Sequence, residues 1–219
     1  MKILALSDIH GALKIVEEAA LLAAEADLVV LCGDITRRGH IEEAEAVLDI
    51  IEKANPSLLA VHGNWDGPDV LALLRERGCS LHADGRVLDG VGFFGAGGAP
   101  HGPLRTVSEY SDEEISGFLA EGYKKAESAA TRIMVTHAPP RGARDRTLIG
   151  LRAGSRGIRD FLAAHPADLC LCGHIHEGRG TENLGGTVIA NPGTFRKGWY
   201  LTIEIGSSIV IKSGRVGGR

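Results

Sequence analysis

Hydrophobic residues fall along this chain in two rhythms. Five runs, residues 2–7, 28–32, 58–62, 132–136 and 169–172, are almost continuously apolar and rich in leucine and β-branched residues. Runs of that length without polar alternation read as strands buried on both faces. Between the first three lie stretches with helical spacing, residues 13–25, 41–53 and 70–77, which predicts a β-α-β-α-β-α opening. The second half changes rhythm. Asp89-Gly90 between short apolar segments at 86–88 and 91–95 is a hairpin signal, and residues 187–190, 199–205 and 209–211 predict a strand-rich C-terminus. Ser111 followed by Glu114 forms a capping-box pattern that opens a helix to about residue 129, and Ser155 opens another to residue 164. The expected fold is α/β, a four-layer α/β/β/α sandwich of two mixed sheets flanked by helices. It forms one domain over residues 1–212, followed by a disordered Gly- and Arg-rich tail at 213–219.

Composition narrows the function classes. With 219 residues, 44% hydrophobic and 24% charged, the chain supports one sizeable core. Its 24 Lys plus Arg against 28 Asp plus Glu leave a net charge of −4, too mild for wholesale attraction to nucleic acid or an anionic membrane. Sequence-specific nucleic-acid binding and membrane insertion are not expected, and a homo-oligomer stays open. The first apolar run stops at Asp8, too short for a signal-peptide core, so the cytoplasm is the default address. Cys32, Cys79, Cys170 and Cys172 show no CxxC spacing and read as reduced residues, three of them in apolar runs.

Metal-capable side chains decide the functional reading. Asp8 and His10, Asp34, Asn64, His137, and the pair His174 and His176 each follow directly on a predicted buried strand. In open α/β sheets ligands bind outside the carboxyl ends of strands, so five strands deliver seven oxygen and nitrogen donors to one edge. Two divalent cations need about that many. Asp8 and His10 flank one residue, as do His174 and His176; in extended chain the members of each pair project to the same side. Single histidines at strand ends are commonly ordinary hydrogen-bonded residues, and the weight rests on five such coincidences together.

These motifs, D-x-H, G-D, G-N, a single His and G-H-x-H, resemble those of the calcineurin-like metallophosphoesterases over nearly the whole chain. The THAPP stretch at 136–140, GHIHE at 173–177 and Asn191-Pro192-Gly193 look most like its small phosphodiesterase-related branch. The resemblance implies that Asp8, His10 and His176 hold one metal, that Asn64, His137 and His174 hold a second, and that Asp34 bridges them. It implies a phosphate-ester hydrolase, phosphodiesterase favoured, acting through a metal-bridging hydroxide. The substrate is a small phosphate ester, a nucleotide among the options. The alternatives are a phosphomonoesterase and a non-catalytic scaffold of the same fold. Manganese is the first expectation for the two metals, and iron, zinc, cobalt or nickel suit the same ligands.

Two positions depart from the pattern. Many members carry an Asp–His pair that protonates the leaving group; Arg37 and Trp65 stand in those places. Arg38 does match the family arginine and is the better candidate for phosphate contact than the arginine-rich loop of Arg141, Arg144, Arg146 and Arg152. His40 and His101 are candidate replacement acids, though a surface role fits both, and His62, His82 and His165 read as structural.

Overall fold

The computed structural model describes residues 1–217 and carries two mixed sheets. In chain order the elements begin with β1 (Lys2–Leu6), α1 (Leu13–Glu18), α2 (Ala20–Ala24), β2 (Leu28–Cys32), α3 (Ile41–Ala54), β3 (Leu58–Val61) and α4 (Pro68–Glu76). The middle contributes β4 (Asp84–Leu88), β5 (Val91–Ala96), the two-residue strands β6 (Ala99–Pro100) and β7 (Glu109–Tyr110), α5 (Asp112–Ala126) and β8 (Thr131–Thr136). The chain closes with α6 (Arg156–Ala164), β9 (Leu169–Leu171), β10 (Gly180–Leu184), β11 (Thr187–Asn191), β12 (Trp199–Ile205) and β13 (Ile209–Arg215).

The first sheet has the order β13-β12-β1-β2-β3, with β1, β2 and β3 parallel; the second has the order β10-β11-β9-β8-β5-β4, with β5, β8, β9 and β11 parallel. Alternate residues of each strand enter different layers, as a period of two demands. Ile3, Ala5, Val30, Val61, Phe93, Ile133, Val135 and Leu171 meet between the sheets. Their neighbours Leu4, Leu6, Val29 and Leu31 turn outward against α1 to α4, and Phe94, Met134 and Cys170 turn outward against α5 and α6. Both faces of each central strand are therefore covered, which is why those runs carry no polar alternation. The four-layer α/β/β/α expectation describes this arrangement.

Local signals account for many element ends. Ser111 Oγ accepts from Glu114 N at 3.1 Å while the Glu114 carboxylate accepts from Ser111 N at 2.8 Å, the reciprocal capping box. Ser155 Oγ caps α6 by accepting from Ile158 N at 3.1 Å. Asp89 and Gly90 both take positive φ, +48° and +79°, which a two-residue hairpin turn requires.

Two expectations need correction, and one strand was not expected. The helix expected over 13–25 breaks at Ala19 into α1 and α2. The strand β10 carried no recognisable signal, because four of its five residues, GTENL, are polar or glycine. The tail expected from Ser213 begins too early, since Ser213, Gly214 and Arg215 pair with Leu201, Tyr200 and Trp199 as the end of β13. A ladder partner supplied that segment with order that its composition does not advertise; residues 218 and 219 of the expected tail lie outside the described residues. No helix among the described residues is long and apolar enough to cross a membrane.

Candidate metal centre

All seven predicted ligands converge where the carboxyl ends of β1, β2 and β3 in one sheet meet those of β8 and β9 in the other. They form two lobes. In the first, His176 Nε2 stands 3.2 Å from Asp8 Oδ1, and His10 Nε2 lies 4.0 Å from that same oxygen. In the second, Asn64 Oδ1 stands 2.9 Å from His137 Nε2 and 2.8 Å from His174 Nδ1. Asp34 lies between them, with Oδ2 3.8 Å from His10 Nε2 and Oδ1 3.5 Å from His137 Nε2.

The backbone at this edge is unusual. Asp8, His10, Asp34 and His174 all adopt left-handed conformations, with φ of +55°, +49°, +52° and +65°. Non-glycine residues rarely take them, and they persist where surrounding structure over-determines them, commonly at functional sites. They also correct the pleat argument. Neither His–Asp nor His–His pair runs extended; His174 turns into the second lobe and His176, opening a 3-10 turn, into the first. Two glycines permit the approach of the loops: a Cβ on Gly63 would overlap Asp34 Oδ1 and its amide nitrogen, and one on Gly173 would overlap Ser7 Oγ.

Hydrogen bonds orient the donors. His137 Nδ1 lies 2.7 Å and His10 Nδ1 3.3 Å from the carbonyls of Cys32 and Thr36. A carbonyl only accepts, so each Nδ1 carries its proton and Nε2 faces the site, the tautomer a metal ligand needs. Asp8 Oδ2 accepts from Ser7 Oγ at 2.6 Å and from His174 N at 3.1 Å, leaving Oδ1 for the cleft. Trp65 N donates to Asp34 Oδ1 at 2.9 Å.

Charge completes the case for cations. Asp8 and Asp34 are almost wholly buried, and among the described residues their ion-pair partners are imidazoles, with no lysine or arginine in contact. Burial pushes the Asp8 carboxyl up, yet the hydrogen bond from His176 and the charge of His137 hold it well below the usual carboxylate range. Burial opposes a charge on His137 too, but the carboxylate of Asp34 overrides it and raises that imidazole to about 9. His174, buried beside His137, falls to about 4. Two buried carboxylates, an amide oxygen and four imidazoles without fixed cations fit divalent metals. Clusters of Asp8, His10 and His176 and of Asp8, Asp34 and His137 each bring their ligand atoms within 4.8 Å of one another.

Against this geometry, residues 1–205 match the calcineurin-like phosphoesterase superfamily domain. The chain belongs to the calcineurin-like phosphoesterase superfamily. An uncharacterized Methanocaldococcus jannaschii protein, MJ1162, is 30% identical over 198 residues, covering 88% of each chain. The UPF0046 protein K07C11.7 of Caenorhabditis elegans is 25% identical, covering 90% of this chain and 71% of its own. Among solved structures, Thermus thermophilus protein TT1561 superposes with a TM-score of 0.77 at 21% identity over 98% of both chains. A Danio rerio protein described as a dimetal phosphatase superposes with a TM-score of 0.66 at 14% identity, over 97% of this chain and 95% of its own. These superpositions establish that the chain shares its fold with those two proteins.

The sequence reading gave no positioning role to several residues of this calcineurin-like site. Buried Asp66 accepts from Ile35 N at 3.0 Å, Thr36 N at 2.9 Å, Thr36 Oγ1 at 2.8 Å and Gly63 N at 2.8 Å, tying the loop that carries Asp34 to the loop that carries Asn64. The only sequence hint was an acid two places after Asn64. Asn191 Nδ2 donates to the carbonyls of Gly173 and Ile175, fixing the loop of His174 and His176. Asn64 Nδ2 donates to Thr106 Oγ1 at 3.0 Å, which aims its oxygen at the two histidines.

The remaining candidates are placed as follows. Arg37 is committed to Glu43, 2.8 Å from Nε to carboxylate. Arg38 is exposed and lines an open cleft with His40 and Glu42. His101 is exposed and lies 3.7 Å from Glu109. Trp65 is half-buried. Arg144 and Arg152 of the basic loop are paired with Glu182 and Asp145.

Proposed function

We propose that this chain is a two-metal phosphoesterase with phosphodiesters as its favoured substrates. One observation carries the reading: the two oxygens of Asp34 face different lobes, each completed by three other donors. Asp8, His10 and His176 with Asp34 would hold the first cation, and Asn64, His137 and His174 with Asp34 would hold the second. When bound, two divalent cations would supply charge for a phosphoryl group and lower the pKa of a water toward about 7, which would provide a water nucleophile.

The chain's own residues shape the rest. Cys32 and Thr36 carbonyls keep the His137 and His10 tautomers competent, and Asp66 and Asn191 hold the loops in register. Arg38, exposed and four residues after Asp34, offers a guanidinium to substrate phosphate. Trp65 provides no proton near pH 7, so the leaving oxygen departs unaided or takes a proton from water. That favours esters with good leaving groups. The four cysteines are buried, and burial raises those thiols, so none offers a competing thiolate nucleophile.

The test is a screen of purified protein reconstituted with manganese, iron, zinc, cobalt or nickel against bis(nitrophenyl) phosphate, cyclic nucleotides and nucleoside monophosphates. Diester turnover above monoester turnover supports the proposal. Faster monoester cleavage favours the phosphomonoesterase reading, and metal binding without turnover favours a scaffold.

A further inference from the structure

Eight large aliphatic side chains are exposed among the described residues, and five of them stand on two loops: Leu104 and Val107 on one, Leu148, Ile149 and Leu151 on the other. Scattered exposed aliphatics are ordinary, whereas such a concentration marks an interaction surface. The loops leave the strands β5 and β8, whose last residues, Ala96 and Thr136, are paired neighbours, so both start from the metal-centre edge of one sheet. Leu148 and Ile149 are 84% and 80% exposed and Leu104 is 76% exposed, which means that they protrude rather than line a groove.

Charge on the same loops is one-sided. Residues 101–108 and 141–155 contain Arg105, Arg141, Arg144, Arg146 and Arg152 and a single acid, Asp145. That acid is buried and neutralised by Arg152 at 2.6 Å. Arg105 and Arg146, adjoining the apolar tips, are exposed and have no ion-pair partner among the described residues. The tip itself is stiffened, because Thr147 N donates to Leu151 O at 2.9 Å, Gly150 N donates to Thr147 O at 2.8 Å, and Arg146 bridges Arg152.

We infer that these two loops dock the metal-centre edge on an anionic lipid surface. Protruding aliphatics enter the acyl boundary while adjacent guanidinium groups meet lipid phosphates. A second copy of this chain is disfavoured, because its facing tips would carry the same unpaired positive charge, whereas an anionic surface complements it. The net charge of −4 opposes only distant attraction, since charges beyond a Debye length are screened at physiological salt. The docking stands independently of which ester is cleaved.

Cosedimentation of the full chain with phosphatidylcholine vesicles, alone or with about one-third phosphatidylglycerol, tests this. Wild-type protein is expected to bind the anionic vesicles preferentially. Leu148→Ser with Ile149→Ser and Leu151→Ser lowers the partition coefficient by about tenfold or more, and Arg105→Gln with Arg146→Gln removes most of its salt dependence. Both variants alter exposed side chains and retain the melting temperature. As a second measurement, a polarity-sensitive dye attached at Ile149→Cys, with the native thiols all buried, shifts to the blue on anionic vesicles. Absence of binding or blue shift, or binding indifferent to both sets of substitutions, overturns the inference. A wild-type dimer in sedimentation velocity that the serine substitutions dissolve overturns it too, by assigning the tips to a second copy.

Discussion

Asp34 points one carboxylate oxygen at His10 and the other at His137, 3.8 Å and 3.5 Å from their Nε2 atoms. Replacing one oxygen by a neutral amide removes both the charge and the second donor. Asp34→Asn is therefore expected to lose metal from at least one site and more than about 100-fold in turnover, with the fold retained. Elemental analysis alongside circular dichroism checks this; full occupancy with full activity would refute the bridging role.

Asp66 is expected to matter nearly as much without touching metal. Asp66→Asn sets an amide N–H against two of the four donors and leaves one acceptor oxygen for the other two, in a site where burial first and the charge of Asp34 second already raise the carboxyl despite its backbone bonds. Loss of such a buried acceptor costs roughly 2–4 kcal/mol. Urea unfolding measures it. Selective weakening of the metals before global unfolding would mark Asp66 as a positioning residue, and unchanged stability would show that the four bonds are dispensable.

Metal binding should release a proton near neutral pH. His137, raised to about 9 beside Asp34, is protonated at pH 7 until a cation displaces that proton. Affinity should then rise with pH up to about 9. Calorimetry in buffers of different ionisation enthalpy reads the proton count directly, and an observed enthalpy independent of buffer sinks the assignment.

Acid sensitivity of the metal-free protein should come from buried His82, beside β3, together with His62 and His174, whose imidazoles burial also depresses. Burial depresses His82 to about 4, with Arg75 adding to the effect, and its Nδ1 accepts from Gly97 N at 3.1 Å. An unfolded histidine titrates near 6.5, so the unfolded chain binds more protons between those values. Stability is complete above about pH 6.5, falls as pH drops toward 4, and loses roughly 2–3 kcal/mol on this account. His137 contributes with the opposite sign, losing stability as pH rises toward 9, so the windows separate. Urea titrations of chelator-treated protein at several pH values test it; an unaltered acid slope in His82→Gln would exclude His82 as a source.

The family resemblance sets Trp65 at the expected proton-donor position, and its amide donates to Asp34 Oδ1. Trp65→His preserves that bond and supplies an imidazole. Missing acid catalysis costs about 10²–10⁴-fold, more for basic leaving groups. Wild-type cleavage should depend steeply on leaving-group pKa, and Trp65→His should flatten the slope. Adding Arg37→Asp would place a carboxylate against Glu43, so the single substitution is the cleaner test. Equal wild-type rates on alkyl and aryl diesters would reveal another acid.

The sequence by itself determined the elements whose causes are local. Strands buried on both faces, the capping box of Ser111 and Glu114, the Asp89-Gly90 turn and the donors at strand ends all follow from residues within a few positions of one another. The fold class followed because such strands must be covered on each face. What only the tertiary structure decided is partnership across the chain. Asp66 reaches Ile35 and Thr36 about thirty positions away, Arg37 is taken by Glu43, and Arg144 by Glu182. The divergence of His174 and His176 into separate lobes rests on left-handed backbone held from outside, by Asn191 and Asp8. Periodicity cannot carry such information, because a hydrogen bond depends on where two segments meet, and that meeting is set by the packing of the two sheets.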